Sequence, residues 1–298
     1  MSDHRPSCEP GLVTRQGIGP QRDAADPAIC WVFPFEIDSG PANMALDQAL
    51  LDQAREGGEG AFFRLYGWSA PTLSLGYFQR FDEIPPDLVA RGVPIVRRLT
   101  GGGAIWHDRE LTYCLVLPRD HPRSRPSSAL YRIVHGAIAE ALGSVGVGVE
   151  QLGTGRPRTG VVGREFLCFA DPCEHDLAVG GVKVTGSAQR RRDGVVLQHG
   201  SILLGASPSL PELPGLAETR PGSAVPLEGL AARVTDRVSR SLGMTARPAT
   251  PSEPLRAHAR ELERSLYRNP DWTRSRSISP SWGGLGECFP RITDNLDD

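Results

Sequence analysis

Of the 33 basic residues in this sequence, 32 are arginine and one, Lys183, is lysine. Arginine carries surface charge as well as lysine does, so a single lysine marks a place where a compact, tunable amine is needed. Cys168 precedes it by fifteen residues, in the stretch Cys168-Phe169-Ala170-Asp171-Pro172-Cys173-Glu174-His175-Asp176. A thiolate is the nucleophile of acyl transfer; a neighbouring ammonium favours it, and a neutral amine could accept its proton. If the turn between them folds back, Cys168 and Lys183 meet across adjacent strands. Cys173 competes for the same role, and the bland reading of any one cysteine is a small buried hydrophobe. His199, within Leu197-Gln198-His199-Gly200-Ser201, either serves this site or hydrogen-bonds in the core. The spacing of Cys168, Cys173, His175 and His199 is a poor zinc signature, and no metal is expected.

A second chemical segment runs Arg97-Arg98-Leu99-Thr100-Gly101-Gly102-Gly103-Ala104-Ile105-Trp106-His107-Asp108. Three glycines after a strand let the backbone approach a ligand closely, and their amides can form an anion-binding concavity between two guanidinium groups. A phosphate or an acyl carbonyl fits such a place. The segment is neither a Walker loop, which needs Gly-Lys-Ser/Thr, nor a dinucleotide fingerprint, because strand-like residues follow the glycines. Glycines alone also make a flexible loop, so the flanking arginines and His107 carry the functional reading.

The elements that must hold these residues follow from periodicity. Met44, Leu46, Leu50, Leu51 and Ala54 form one helical stripe after Gly40-Pro41, and a second helix fits Ser127 to Leu142, capped by Ser127 or Ser128 and ended by Gly143. Strand patterns occupy Ala61 to Tyr66, Thr72 to Gln79, Pro94 to Arg98, Leu111 to Leu117, Asp176 to Val179, Val182 to Ala188 and Val195 to Leu204. Gly180-Gly181 and Arg192-Asp193-Gly194 read as turns, with Arg190-Arg191-Arg192 solvated or available to dock an acidic carrier. Arginine-rich helices fit about 227–242 and 253–267. The predicted class is α/β in the α+β sense: a mixed, largely antiparallel sheet flanked by helices.

Composition bounds the rest. With 298 residues, 39% hydrophobic and 23% charged, the chain suits one sizeable domain or two small ones. Glycine and proline are dense at both ends, so residues 1–28 and 278–298 read as poorly ordered tails around a folded centre at 29–277. A net charge of -2 gives no general drive toward nucleic acid or anionic membranes. No apolar run is long enough to span a bilayer and no secretory leader is visible, so a cytoplasmic setting is expected. Six scattered cysteines without a CxxC pair read as free thiols.

Taken in order, Asn43-Met44-Ala45-Leu46-Asp47, Phe63-Arg64-Leu65-Tyr66-Gly67-Trp68, Leu73-Ser74-Leu75-Gly76-Tyr77-Phe78-Gln79, the glycine segment with His107-Asp108, and Gly181-Val182-Lys183-Val184-Thr185-Gly186-Ser187-Ala188-Gln189 resemble the lipoyl and octanoyl transferase/ligase family, which shares a catalytic domain with biotin protein ligases. The resemblance covers most of the chain. It implies a biotin/lipoate protein ligase-like fold, a pocket for an eight-carbon acyl chain, and Lys183 at its carbonyl end. It also implies substrate contacts from Arg98, Thr100, Gly101, Gly102, Gly103, Ala104, His107, Gly186, Ser187, Ala188 and His199. Cys168-Phe169, Glu110-Leu111-Thr112-Tyr113 and Leu197-Gln198-His199-Gly200-Ser201 look like the Gram-positive-type octanoyltransferase branch, with Cys168 as nucleophile. That branch needs no cofactor. Its donor would be octanoyl acyl carrier protein, and its acceptor a lipoyl-domain protein of the 2-oxoacid dehydrogenases or the glycine cleavage H protein. The intact triple glycine is also typical of ATP-dependent lipoate ligases, which would need ATP and Mg, and octanoyl amidotransferases between lipoyl domains are a third option.

Overall fold

Short β-rich runs form twelve strands in the computed structural model, which describes residues 28–119, 121–153, 165–170, 173–219 and 227–277. They are β1 (Ala28–Val32), β2 (Glu36–Asp38), β3 (Ala61–Trp68), β4 (Thr72–Leu75), β5 (Ile95–Arg97), β6 (Ile105–His107), β7 (Glu110–Leu117), β8 (Glu150–Gln151), β9 (Leu177–Val179), β10 (Val182–Arg192), β11 (Val195–Leu203) and β12 (Met244–Pro248). Nine of them make one sheet in the order β12-β1-β3-β7-β11-β10-β9-β8, with β2 also on β3, while β5-β4-β6 form a smaller sheet. From β3 through β8 every neighbouring pair is antiparallel; β12, β1 and β2 join in parallel. The mixed, largely antiparallel sheet is therefore as expected.

Seven α-helices accompany the strands among the described residues: α1 (Gly40–Arg55), α2 (Pro86–Ala90), α3 (Ser127–Gly143), α4 (Leu216–Thr219), α5 (Leu227–Ser241), α6 (Glu253–Leu262) and α7 (Pro270–Ser275). The central strand β7 is apolar on both faces because it is covered on both. Its Leu111, Tyr113, Leu115 and Leu117 pack with Leu130, Val134 and Ile138 of α3 and with Leu230 and Val234 of α5. Its Cys114 and Val116 share the opposite core with Met44, Leu50 and Leu51 of α1 and with Leu255 and Leu262 of α6. The small sheet has its own core, where Leu73, Leu75 and Trp106 meet Leu167 and Phe169. Among the described residues no helix is long and apolar enough to cross a membrane.

Several expectations shift. Residues 1–27 and 278–298, which carry the expected tails, lie outside the described residues, and Ala28 already belongs to β1. Pro126, not a serine, occupies the N-cap of α3 and makes no side-chain cap bond. The strand expected over Thr72 to Gln79 stops at Leu75, because Arg97 Nη1 draws in the carbonyls of Gly76 (3.0 Å), Tyr77 (3.1 Å) and Gln79 (2.7 Å) and turns the chain. Arg190 to Arg192 belong to β10; the turn is Asp193-Gly194, with both residues at positive φ. The unforeseen β12, Met244-Thr245-Ala246-Arg247-Pro248, has no alternation to announce it and exists by parallel pairing with β1 at the sheet edge.

One glycine couples the two central strands that flank the site. A Cβ on Gly200 of β11 would stand 2.2 Å from Ser187 Oγ and 2.5 Å from Gly186 O on β10. Gly200→Ala is expected to lower stability by about 1–3 kcal/mol through overpacking. Thermal and denaturant unfolding measure this; an unchanged midpoint would contradict the close approach.

Candidate active site

Lys183 owes its direction to an irregularity. The β9–β10 register shifts between Lys183 and Thr185. On a regular strand, residues three apart face opposite ways, yet a Cβ on Gly186 would lie 2.7 Å from Lys183 Cε, so the two share a face. Gly186 leaves room for the lysine stem. Nζ reaches Asp176 Oδ2 at 2.7 Å, the Cys168 carbonyl oxygen at 2.8 Å and Cys168 Sγ at 3.5 Å. Its three donors thus each meet an acceptor, and the Phe169 ring centroid lies 5.2 Å away. Burial works against the charge, but Cys168 and Asp176 outweigh it and hold the Lys183 amine above its ordinary range. Lys183 is therefore an ammonium at neutral pH, suited to stabilise a thiolate rather than to take its proton.

Cys168 is positioned from the glycine segment. Ala104 N–H donates to Phe166 O (3.0 Å), and Cys168 N–H donates to Ala104 O (2.7 Å), a short parallel bridge that delivers the cysteine to Lys183. A Cβ on Gly103 would come within 3.0 Å of Cys168 N, which is the physical need for glycine there. Gln79 ties the same place to the turn after β4: its side chain accepts from Gly76 N–H (2.9 Å) and donates to Phe166 O (3.1 Å). Cys173 is exposed, and its N–H donates to Asp176 Oδ2 at 2.7 Å.

The other expected site residues divide in two. Gly103 and Ala104 lie against Cys168, Gly186 and Ala188 share the Lys183 face of β10, and Gly101 and Gly102 border the Phe78 ring and the Arg98 guanidinium. Arg98, Thr100, His107 and His199 are buried and engaged with protein. Arg98 donates from Nε to Thr100 Oγ1 (3.1 Å), from Nη1 to Ser74 O and Oγ (3.1 Å each), and from Nη2 to Gly101 O and Gly103 O (2.7 Å each). Burial pulls its pKa down to about 10, which still leaves a cation at neutral pH. His107 stacks on Trp68 at 3.7 Å between Glu110 and Ser74; His199 lies between Asp47 and Thr100. Ser187 faces α3, 2.6 Å from His135 Nε2 and 2.5 Å from the Tyr113 hydroxyl.

Asp176, Asp47, Ser74 and Gln79 are the contributors that sequence spacing does not disclose. Asp176 had one available signal: it flanks the Gly180-Gly181 turn opposite the lone lysine. Among the described residues no group of three His, Cys, Asp or Glu side chains is arranged to hold a metal ion.

Thiol exposure differs sharply along the chain. Burial pushes the Cys30 thiol up to about 11 and Cys114 well above its ordinary value, while Cys168 is half-buried and Cys173 exposed. Alkylation followed by peptide mass mapping should label Cys168 and Cys173 and spare Cys30 and Cys114. Lys183→Met should slow labelling of Cys168 at neutral pH, because the sulfur loses the ammonium 3.5 Å away. An unchanged rate would remove Lys183 from the chemistry.

Similarity to known proteins extends over most of the chain. Residues 39–216 match the lipoyl protein ligase A/B catalytic domain. The chain is 36% identical to octanoyltransferase LipM of Geobacillus kaustophilus over 83% of its own length and 98% of that protein's. It is 45% identical to octanoyltransferase LipM of Moorella thermoacetica over 60% of its length and 66% of that protein's. A structure of lipoate-protein ligase A bound with ATP superposes with a TM-score of 0.66 at 22% identity, covering 83% of this chain and 98% of that one. A bipartite lipoate protein ligase from Thermoplasma acidophilum gives 0.64 at 20% identity, covering 83% and 96%. These two likenesses establish the fold, that of the lipoate protein ligases. With the fold, the family match over most of the central sheet and the extended identity in agreement, the chain belongs to the lipoyl protein ligase A/B catalytic-domain family of enzymes.

Proposed function

We propose that this chain is an octanoyltransferase of lipoate biosynthesis that takes octanoate from octanoyl acyl carrier protein as a Cys168 thioester and gives it to the ε-amine of a lipoyl-domain lysine. The reading is carried by the 3.5 Å approach of Lys183 Nζ to Cys168 Sγ beside the triple glycine. The octanoyltransferase names of relatives at 36% and 45% identity support it. Residues 29–277 form the catalytic unit in this proposal.

The Cys168 thiolate attacks the donor carbonyl, forming a carbon–sulfur bond and a tetrahedral oxyanion. Collapse breaks the donor thioester, and the carrier leaves as a thiolate that takes a proton from solvent. The acceptor amine then attacks the acyl-cysteine and gives up a proton to solvent as the amide forms, while Cys168 departs as a thiolate. Lys183, held by Asp176, stabilises that thiolate as both nucleophile and leaving group. Loop amides supply the oxyanion contact, usually the largest single contribution. The Cys168 N–H is not among them, since Ala104 O takes it. Gly186 and Ala188 line the acyl side with Gly101 to Gly103, and Arg98, Thr100, His107, Ser187 and His199 support the walls from behind.

The ATP-dependent ligase reading would place nucleotide phosphates on Arg98 and the Gly103 to Trp106 backbone. The Arg98 donors and the Ala104 N–H are already spent within the protein, which argues against it. Amidotransfer between lipoyl domains would use the same cysteine with an amide donor.

Intact mass after mixing with octanoyl carrier protein, without ATP, should show an octanoyl increment that is hydroxylamine-labile and maps to the Cys168 peptide. Cys168→Ser should fold and form none. Lys183→Arg should also fail, because a planar guanidinium cannot place three donors as the ammonium does beside Gly186. Full transfer by Cys168→Ser sinks the scheme; lipoate-dependent ATP–pyrophosphate exchange would favour ligation, and acylation only from an octanoylated lipoyl domain would favour amidotransfer.

A further inference from the structure

The Arg98 guanidinium is buried, and its five N–H groups all go to uncharged acceptors: Thr100 Oγ1, Ser74 O and Oγ, Gly101 O and Gly103 O. Burial disfavours this cation and the Cys168 sulfur favours it, while two hydrogen-bond relays lead from its neutral acceptors to carboxylates. The Asp47 carboxylate oxygen Oδ2 can only accept, so His199 Nδ1, 3.0 Å away, carries the ring proton. In a singly protonated ring Nε2 then accepts from Thr100 Oγ1 at 2.6 Å, which itself accepts from Arg98 Nε. Asp47 in turn is ion-paired with Arg64 at 3.1 Å. On the other side, Ser74 Oγ accepts from Arg98 Nη1 and donates to His107 Nε2 at 2.7 Å, and His107 Nδ1 donates to Glu110 Oε1 at 2.7 Å. Burial lowers the His107 pKa; it would raise that of Glu110, but the contacts from His107, Thr112 and Ser201 offset it and hold the carboxyl below its ordinary range. Both directions fit a neutral imidazole against a carboxylate.

The remaining nitrogen, Nη2, acts on two peptides of the glycine segment. In a planar trans peptide the C=O and N–H point opposite ways. Holding Gly103 O therefore sends the Ala104 N–H to Phe166 O, and the same residue's carbonyl receives the Cys168 N–H. Holding Gly101 O turns the Gly102 N–H away from Arg98, at a residue whose φ of +85° is open to glycine. No acceptor for that N–H occurs among the described residues.

We propose that Arg98 is a positioning residue rather than a substrate ligand. Set by the Asp47–His199–Thr100 and Glu110–His107–Ser74 chains, it presents the Gly102 N–H to the tetrahedral oxyanion and, through the next peptide, places Cys168 beneath it. His107 and His199 are positioning residues of the same arrangement, each holding a ring proton on Nδ1 against a carboxylate. The oxyanion part rests on the Cys168 thioester reading; the relays do not.

Nitrogen-15 histidine NMR on the full, unmodified chain tests the relays without turnover, with His107→Gln and His199→Gln assigning the signals. Two Nδ1–H tautomers are expected at neutral pH; an Nε2–H tautomer or an imidazolium at either position overturns the arrangement. Kinetics of Cys168 acylation by octanoyl carrier protein test its purpose. His199→Gln, whose amide donates to Asp47 and accepts from Thr100, should largely retain the rate, whereas His199→Leu should lose on the order of 100-fold in kcat with little change in KM, as for a lost oxyanion donor. A rise in KM at unchanged kcat in His199→Leu would make His199 a substrate ligand and overturn the proposal. Nδ1–H tautomers in a wild-type chain that forms no acyl-Cys168 would instead overturn the thioester reading and leave the Arg98 arrangement standing.

Discussion

A protonated amine buried at 2% exposure is costly unless its charge is met at close range, and the active region is organised around meeting it. Asp176 approaches Lys183 from the start of the β9–β10 hairpin, and Cys168 approaches it from the segment bridged to Ala104. Neither partner is near the lysine in sequence. The pairing of β9 with β10, the shift in its register and the missing side chain at Gly186 are all conditions for one ammonium to have three acceptors. With Asp176 fixed as a permanent partner, the remaining pull of the ammonium falls on the sulfur. This suits the role proposed for Cys168, first as nucleophile and later as leaving group.

The second buried cation solves the same problem differently. Arg98 has no direct carboxylate partner in its hydrogen-bond set; its neutral acceptors connect it to Asp47 through Thr100 and His199 and to Glu110 through Ser74 and His107. Neutral acceptors at the guanidinium fix its plane without collapsing it onto an anion, which frees Nη2 to orient backbone. The small sheet supplies Ser74 and His107, while the large sheet supplies His199 and Glu110, so the network also joins the two sheets. Arg97, one residue earlier, faces elsewhere and gathers the carbonyls of Gly76, Tyr77, Gln79 and Thr273. Two consecutive arginines thus shape opposite sides of one loop, and both are spent within the protein. This explains why an anion-binding reading of the pair from sequence overstated their availability.

Much of the fold was legible because its elements are amphipathic or bounded by turn residues. The α1 stripe, the α3 stripe and the strands on either side of Asp193-Gly194 fall close to where periodicity puts them. The misses share a cause. Strand β12 is mostly exposed and has no pattern, so only its partner β1 makes it a strand. The break after Leu75 is imposed by Arg97, which lies twenty-two residues further on. Arg190 stays in β10 because its guanidinium finds the Tyr77 ring, 5.0 Å away, instead of solvent. In each case a contact distant in sequence overrode a local preference.

At the site the division is similar. Residue chemistry alone singled out Cys168, the lone Lys183 and the three glycines, because nucleophilicity, a titratable amine and a backbone without side chains are properties of residue type. It could not assign Asp176, Asp47, Ser74 or Gln79, whose roles come from position alone. Nor could it decide whether Arg98, His107 and His199 face a ligand or one another, since a histidine has the same donors and acceptors in either setting. Hydrogen bonds are short and directional, so those outcomes follow from where strands cross and how registers shift. That information exists only once the sheets have closed around their cores.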